Sequence, residues 1–269
     1  MASAASPEWI ARLRQRADAA PSRPREALFS GESQIGSIEV TLGVSLVDAG
    51  LPLRAAGMGW RLRGSPSPAL EVIARWLNAN GLGGRWRDEL LSVIDAAGTV
   101  VGQIERAAVR PLGIATQAVH LVGYTADAKV WAQQRALDKA TDPGAWDTLM
   151  GGLVAAGETL EDTLARETWE EAGLVVGSLQ DLRRAGSLVI RRPVPDGYMV
   201  ERIAVFEAWV PSGVTPVNQD GEVERFECLD AARLMQRLQE ESFTLEAALI
   251  LLDWLGAGSL SRISGKGQE

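Results

Sequence analysis

The chain reads as an α/β protein in two parts, a small α+β unit over residues 1–112 and an α/β/α sandwich on a mixed sheet over 113–269. Three observations predict this. The first part mixes helical and strand patterns without a phosphate loop. The composition changes across RAAVRPLGIATQ (106–117). Beyond that point, alternating strand patterns interleave with helical ones, the order that places helices on both faces of a sheet.

The elements follow in order. MASAASPEWIARLRQRADAAPSRPR reads as an amphipathic helix with Trp9, Ile10 and Leu13 on its inner face, ended by Pro21 and Pro24. ALFSGESQIGSIEV reads as a hairpin turned at Gly31-Glu32-Ser33, and LPLRAAGMGWRLRG as short strand pieces. SPALEVIARWLNANGLGG is a helix opened by Ser67-Pro68 and closed by glycines 81, 83 and 84. ELLSVIDAAGTVVGQIER is a second hairpin, about Ala96-Ala97-Gly98. The glycines of GLGG and GMG take turn roles, because neither follows a strand and opens a helix as a dinucleotide fingerprint requires. In the second part, AVHLVGYT and KVWAQQR pair about Ala126-Asp127. SLVIRRPVPDGYMVERIAVFEAWV gives two strands separated by Pro193, Pro195 and Gly197. After a loop, VERFECL is a short strand, and AARLMQRLQ and TLEAALILLDWLGAG are helices.

Composition excludes several classes. Net charge is −8, so there is no basic footprint for a nucleic-acid duplex or an anionic membrane. No run of 18 apolar residues suits a membrane span. A single cysteine, Cys228, excludes an intramolecular disulfide and fits a reducing cytoplasm. Glu8 and Asp18 argue against reading the first residues as a transit peptide. The expected partner is a small molecule; a homodimer is left open.

The most informative stretch is GLVAAGETLEDTLARETWEEAGL, residues 152–174. Thr159 and Asp162 are spaced for a capping box, and Gly173 suits the left-handed residue that stops a helix. Along the helix between them, Glu167, Glu170 and Glu171 fall within a ~100° arc, while Leu160, Leu164, Thr168 and Ala172 line the adjoining apolar face. Such an arc is either a solvated acidic face or a site for a cation that relieves the repulsion. Oxygen ligands alone suit a hard ion, Mg²⁺ or Mn²⁺.

Gly152, Glu158 and Arg166-Glu167-Thr168-Trp169-Glu170-Glu171-Ala172-Gly173 resemble the Nudix box: a glycine, a glutamate six later, then R-E-x-x-E-E-x-G. Thr168 stands where the family usually has a larger aliphatic residue. The resemblance spans roughly 115–258 and implies the same sandwich, with hydrolysis of a phosphoanhydride in an organic diphosphate. It implies that Glu167, Glu170 and Glu171 hold the metal, with the Gly152 carbonyl as a further ligand. Gly151 beside it lets the backbone approach the phosphate. Arg166 orients a glutamate, or is a surface i,i+4 ion pair. Glu158 fixes the loop, or serves the helix N-terminus. Family members often add a carboxylate from a late loop; NQDGEVERFE offers Glu222 first, then Asp220 and Glu224, the alternative being a plain acidic turn. Arg135 and Lys139, ahead of the box, read as phosphate contacts or as solvated loop charges. His120 reads as packed in its strand, Cys228 as a core residue, and Trp146 and Trp86 as candidate ring-stacking walls.

The N-terminal unit, WRDELLSV, the RxxxKxxxPGxWDxxxGG run and DGEVERF together resemble the subfamily related to the Nudix region of fungal thiamine pyrophosphokinases. That resemblance implies thiamine diphosphate or its oxidised analogues as substrate. The alternative is a nucleoside diphosphate derivative such as a dinucleotide, nucleotide sugar or modified NTP. An isopentenyl-diphosphate isomerase would need a cysteine near the front of the region, where this chain has none. A non-catalytic binding module would be expected to have lost box glutamates, and all are present.

Overall fold

The computed structural model describes residues 6–256; the last two residues of the expected C-terminal helix, 257 and 258, lie outside them. The elements run α1 (Pro7–Ala17), β1 (Arg25–Ser30), β2 (Ser33–Glu39), α2 (Val40–Asp48), β3 (Leu53–Ala55), β4 (Gly59–Leu62), α3 (Pro66–Ala79), β5 (Leu90–Ile94) and β6 (Val100–Glu105). They continue with β7 (Thr116–Tyr124), β8 (Val130–Arg135), β9 (Trp146–Asp147), β10 (Met150–Leu153), α4 (Leu160–Ala172), β11 (Gln180–Val194), β12 (Gly197–Trp209), β13 (Val223–Leu229), α5 (Ala231–Gln239) and α6 (Leu245–Gly256). No helix among the described residues is long and apolar enough to cross a membrane.

A seven-stranded mixed sheet has the order β11-β12-β7-β8-β13, with β10 on β7 and β9 on β8. β12 runs parallel to β7, and the other pairs are antiparallel. Alternate residues of the central strands serve opposite faces. Val119, Leu121, Ala204, Phe206 and Ala208 pack with Leu164 and Ala172 of α4. Ala118, Val122, Ile203 and Val205 pack with Leu249 and Ile250 of α6. The sheet therefore lies between α4 on one side and α6 on the other, which is the α/β/α order expected.

The earlier residues build their own core. β2-β1-β4-β3 form a four-stranded sheet, and β5-β6 a separate hairpin. Leu28, Ile38, Leu46, Leu70, Ile73 and Ile104 are all fully buried together. Helix α1 does not join them: Trp9, Leu13 and Ala17 pack with the α6 side of the larger sheet. The two cores meet at the β11–β12 hairpin. There the Tyr198 N–H donates to the Arg110 carbonyl at 2.9 Å, and Asp196 pairs with Arg110 at 3.4 Å. Gly197 sits at φ 145 with its Cα against the Arg110 carbonyl, a place that excludes a side chain.

Three details differ from the sequence reading. α2 was unforeseen, because Val40, Thr41, Val44 and Val47 are β-branched and carry no helical signature; tertiary packing of Leu46 overrides their propensity. α3 opens at Ser65-Pro66, so the earlier of two Ser-Pro pairs is the start. Pro193 lies inside β11 opposite Tyr198, leaving Pro195-Asp196 as the turn.

Candidate active site

β10 carries Gly151 and Gly152 opposite His120 and Val119, and a short loop leads from it into α4. The capping box forms as spaced: the Asp162 N–H donates to Thr159 Oγ1 at 3.0 Å and the Thr159 N–H donates to Asp162 Oδ2 at 3.1 Å. Gly173, at φ 63, ends the helix. Thr168 is fully buried on the apolar face, so the smaller residue at that position is simply packed.

Arg166 is a hub. It donates through Nε and Nη2 to Glu158 at 2.8 and 2.9 Å, and through Nη1 to Glu167 and Glu170, both at 2.9 Å. The forked guanidinium suits three carboxylates in a way an ammonium does not. Thr163 Oγ1 also donates to Glu158, at 2.8 Å. The Arg166 bonds hold the Glu158 carboxyl down to about 2. Of the alternatives left open above, Arg166 therefore ties glutamates together and Glu158 ties the loop to the helix.

Glu171 is 2% exposed. Its Oε2 accepts from Gln133 Nε2 at 2.8 Å and from the Gly151 N–H at 3.1 Å. Burial first, then the neighbouring Glu167, push its carboxyl up to about 8. Glu167 is pushed up to about 7, chiefly by burial and against the pull of Arg166. Two desolvated carboxyls side by side are costly to ionise together.

Lys139 pairs with Glu222 and stands 4.0 Å from Glu171 Oε1. Burial opposes ionisation of Glu222, but Lys139, assisted by Arg106 and Arg87, holds its carboxyl below the ordinary value. Arg135 ends β8; its Nη2 donates to the Thr141 carbonyl at 3.0 Å and its Nη1 lies 3.5 Å from Asp147. Both cations are thus already engaged by protein groups.

These residues share a cavity of about 170 Å³. Arg135, Lys139, Gly151, Gly152, Glu167, Glu171 and Glu222 all line it. Glu170 and Arg166 do not, and Glu224 is exposed outside it. Among the described residues no three His, Cys, Asp or Glu side chains close around a single point. Glu167 and Glu170 turn to Arg166, and Glu222 turns to Lys139.

The cavity also has walls that the sequence reading missed. Asp147, Glu201 and Glu246 line one end, with Arg192 between the strands and α6. Burial first, then Glu201 and Asp147, raise the Glu246 carboxyl to about 7 against the opposing pull of Arg192, 3.5 Å away. The available signal was a charge inside apolar patterns, as in YMVERIAVF and TLEAALILL. Arg87, Arg106 and Arg110 line the cavity as well; Arg106 and Arg110 carry no motif, and Arg87 stands in WRDELLSV with no role read for it. A second space of about 390 Å³ continues along them.

Neither candidate stacking wall is in the cavity. Trp146 is 3% exposed in the core, with Arg237 4.1 Å and Arg225 5.4 Å from its ring centre. Trp86 stacks under Arg75 and donates Nε1–H to Asp88 at 2.7 Å. His120 is buried as expected, its Nδ1 2.9 Å from Thr148 Oγ1, although its ring also borders the cavity beneath Gly151. Cys228 is half-buried on β13 and outside the main cores.

A mixed sheet between helices, with a capped glutamate helix behind a glycine turn, brings Glu167 and Glu171 to one carboxylate-lined cleft. Residues 115–249, half of the chain, match the NUDIX domain, and the chain belongs to the Nudix family. It is 31% identical over 170 residues to Nudix hydrolase 24, chloroplastic, of Arabidopsis thaliana, covering 61% of this chain and 46% of that one. It is 31% identical over 158 residues to an isopentenyl-diphosphate Delta-isomerase of Streptomyces avermitilis, covering 58% of this chain and 78% of that one. Among solved structures, the Deinococcus radiodurans protein DR0079 superposes with a TM-score of 0.50 at 25% identity, covering 61% of this chain and 98% of that one. The chain spans less than half the length of the two chloroplastic Arabidopsis Nudix hydrolases it matches, 46% and 42%.

Proposed function

We propose that this protein is a divalent-cation-dependent pyrophosphohydrolase that cleaves the phosphoanhydride of an organic diphosphate. The observation that carries this reading is the pair of buried Glu171 and half-buried Glu167, side by side against the backbone of Gly151 and Gly152. Their burial and mutual repulsion fit an oxygen-liganded Mg²⁺ or Mn²⁺ in kind. Glu167, Glu171 and the Gly152 carbonyl would hold it from the cavity, and Glu170, bonded to Arg166 outside the cavity, would join them on leaving that arginine. Such an ion supplies charge neutralisation across the two phosphates and a more acidic water.

The chain's own residues then have distinct tasks. Gln133 and the Gly151 N–H fix the Glu171 carboxylate. Glu158 and Arg166 hold the helix and its glutamates against the glycine loop. Glu222, ionised and reaching the cavity from its loop, takes the proton of the attacking water. Lys139 beside it keeps that carboxylate charged and offers a donor to a phosphate oxygen.

As substrate we favour thiamine diphosphate or its oxidised analogues, released as monophosphates. Support comes from the motif combination that resembles the fungal pyrophosphokinase-related subfamily, and from Asp147, Glu201 and Glu246 clustered in the cavity. An acidic recess suits a cationic or amine-bearing ring. A nucleoside diphosphate derivative is the second reading. The isomerase reading lacks its cysteine: Cys228, the sole cysteine, is on β13 and does not border the cavity. In the same reading, the first unit, to about residue 112, serves to wall the pocket.

The test is a panel of diphosphates, including thiamine diphosphate and ADP-linked compounds, assayed for monophosphate release with Mg²⁺, Mn²⁺ or EDTA. Turnover lost in EDTA is expected. A folded protein that cleaves none of the panel with either metal would refute the reading.

A further inference from the structure

Arg87, Arg106 and Arg110 all precede the Nudix region, yet they line the same cavity as Glu167, Glu171 and Glu222. Each is held in its own way. Arg106 Nη1 donates to Glu89 Oε2 at 2.8 Å, and its backbone N–H donates to the Glu89 carbonyl at 2.9 Å. Arg110 pairs with Asp196 at the hairpin tip. Arg87 makes no ion pair among the described residues. Its backbone, however, is fixed. Glu105, 3% exposed, accepts the N–H of Arg87 at 2.9 Å and of Glu89 at 3.1 Å. A buried carboxylate occupied by two amides of one short segment pins that segment, since breaking either bond would strand a buried charge. The exposed guanidinium of Arg87 is thereby presented from a rigid base.

Glutamates and guanidinium groups thus line one cavity, with Arg87 and Arg106 close enough to Glu222 to help hold its carboxyl down. A diphosphate ester has non-bridging oxygens on both phosphorus atoms, pointing to opposite sides of its anhydride. A cation held by the glutamates would neutralise part of their charge, and the remaining oxygens need donors. Forked guanidinium groups match two phosphate oxygens at once, and they remain charged at any working pH.

We propose that Arg87, Arg106 and Arg110 form the seat of the substrate's terminal phosphate, with Arg87 as its principal contact. The unit ahead of the Nudix region is then part of the phosphate site itself. This rests on reading the chain as a diphosphate hydrolase.

The test uses the full chain carrying Arg87→Ala, Arg87→Lys or Arg106→Ala, with Arg54→Ala, exposed on β3 and outside the cavity, as control. Binding of inorganic pyrophosphate with Mg²⁺ is measured by calorimetry, and KM and kcat are measured on the diphosphate that the wild type cleaves. Thermal melts confirm folding. Arg87→Ala should weaken pyrophosphate and raise KM, each about tenfold, the size expected for one charge-assisted pair. Its kcat should stay within about twofold, and Arg87→Lys should recover part of the loss. Arg106→Ala should act in the same direction, and Arg54→Ala should change neither quantity. If folded Arg87→Ala keeps wild-type pyrophosphate affinity and KM, the seat is elsewhere; a loss confined to kcat, or a wild type that binds no pyrophosphate, also overturns the proposal. A wild type that cleaves no diphosphate but loses pyrophosphate binding in Arg87→Ala would sink the hydrolase reading and leave the arginine site standing.

Discussion

The backbone of Gly152 and the carboxylate of Glu167 share a space that one methyl group would close. Residue 152 has no special dihedral, so the glycine is there for room and not for conformation. Gly151 stands in the same relation to the ring of His120.

Gly152→Ala should therefore push the Glu167 side chain away from β10. We expect a cost of about 1–3 kcal/mol in stability and a fall in kcat of at least ~10² as the carboxylate leaves its place. Urea unfolding and steady-state kinetics on the same preparation check both. A variant with normal turnover would show that Glu167 works from another position.

Glu171→Gln should keep its shape and its backbone partner while losing charge. The expected result is a kcat at least ~10²-fold lower, with a Tm no lower than that of the wild type in EDTA. Adding Mg²⁺ at pH 8 should raise the wild-type Tm, and should raise that of Glu171→Gln much less. Equal Mg²⁺ shifts in the two proteins would place the ion away from Glu171.

Glu222 and Glu224 are two residues apart but only the first reaches the cavity. Glu222→Gln should lose rate and require more Mg²⁺, whereas Glu224→Gln should match the wild type. Titrating activity against Mg²⁺ separates them. If both behave as wild type, the loop is structural and the base belongs to α4.

Glu246 gives a pH prediction. Burial, with Glu201 and Asp147 nearby and only Arg192 opposing, lifts its folded carboxyl to about 7. A carboxyl raised on folding stabilises the fold fully below its unfolded value near ~4.5, and loses that contribution as pH climbs through about 7. Glu246→Gln should thus melt near the wild type at pH 5 and on the order of 2–4 °C above it at pH 8. A Tm difference that does not change with pH would mean the carboxyl is ionised throughout.

What the sequence made legible was local. The box helix, its Thr159–Asp162 cap and its Gly173 stop depend on neighbours within a few positions, and each formed as spaced. The fold class followed from the same periodicities. Arg87 and Asp147 stand inside WRDELLSV and the PGxWD run, but their place in the site, like that of Glu201 and Glu246, was not legible, because only the meeting of distant strands and α6 gives them a common cavity. Trp146 shows the converse. A tryptophan beside the box invites a ligand-stacking role, but its neighbours in space include Arg225 and Arg237, about eighty to ninety positions later, and these cover its ring. Lys139 and Arg135 were found as cations near the site, but their partners Glu222, Glu171 and Asp147 lie on other segments.

Helix α1 ends its folding journey against residues synthesised far later. Arg14 meets Asp253 and Arg16 meets Glu241, while Trp9 and Leu13 join the core that α6 completes. Until β11 and then α6 have left the ribosome, that early helix lacks the surfaces on which its indole and leucine pack. Contacts of such long sequence separation close slowly. A growing chain therefore carries an uncovered greasy stripe from α1 until those elements emerge, the kind of surface that holdase chaperones engage.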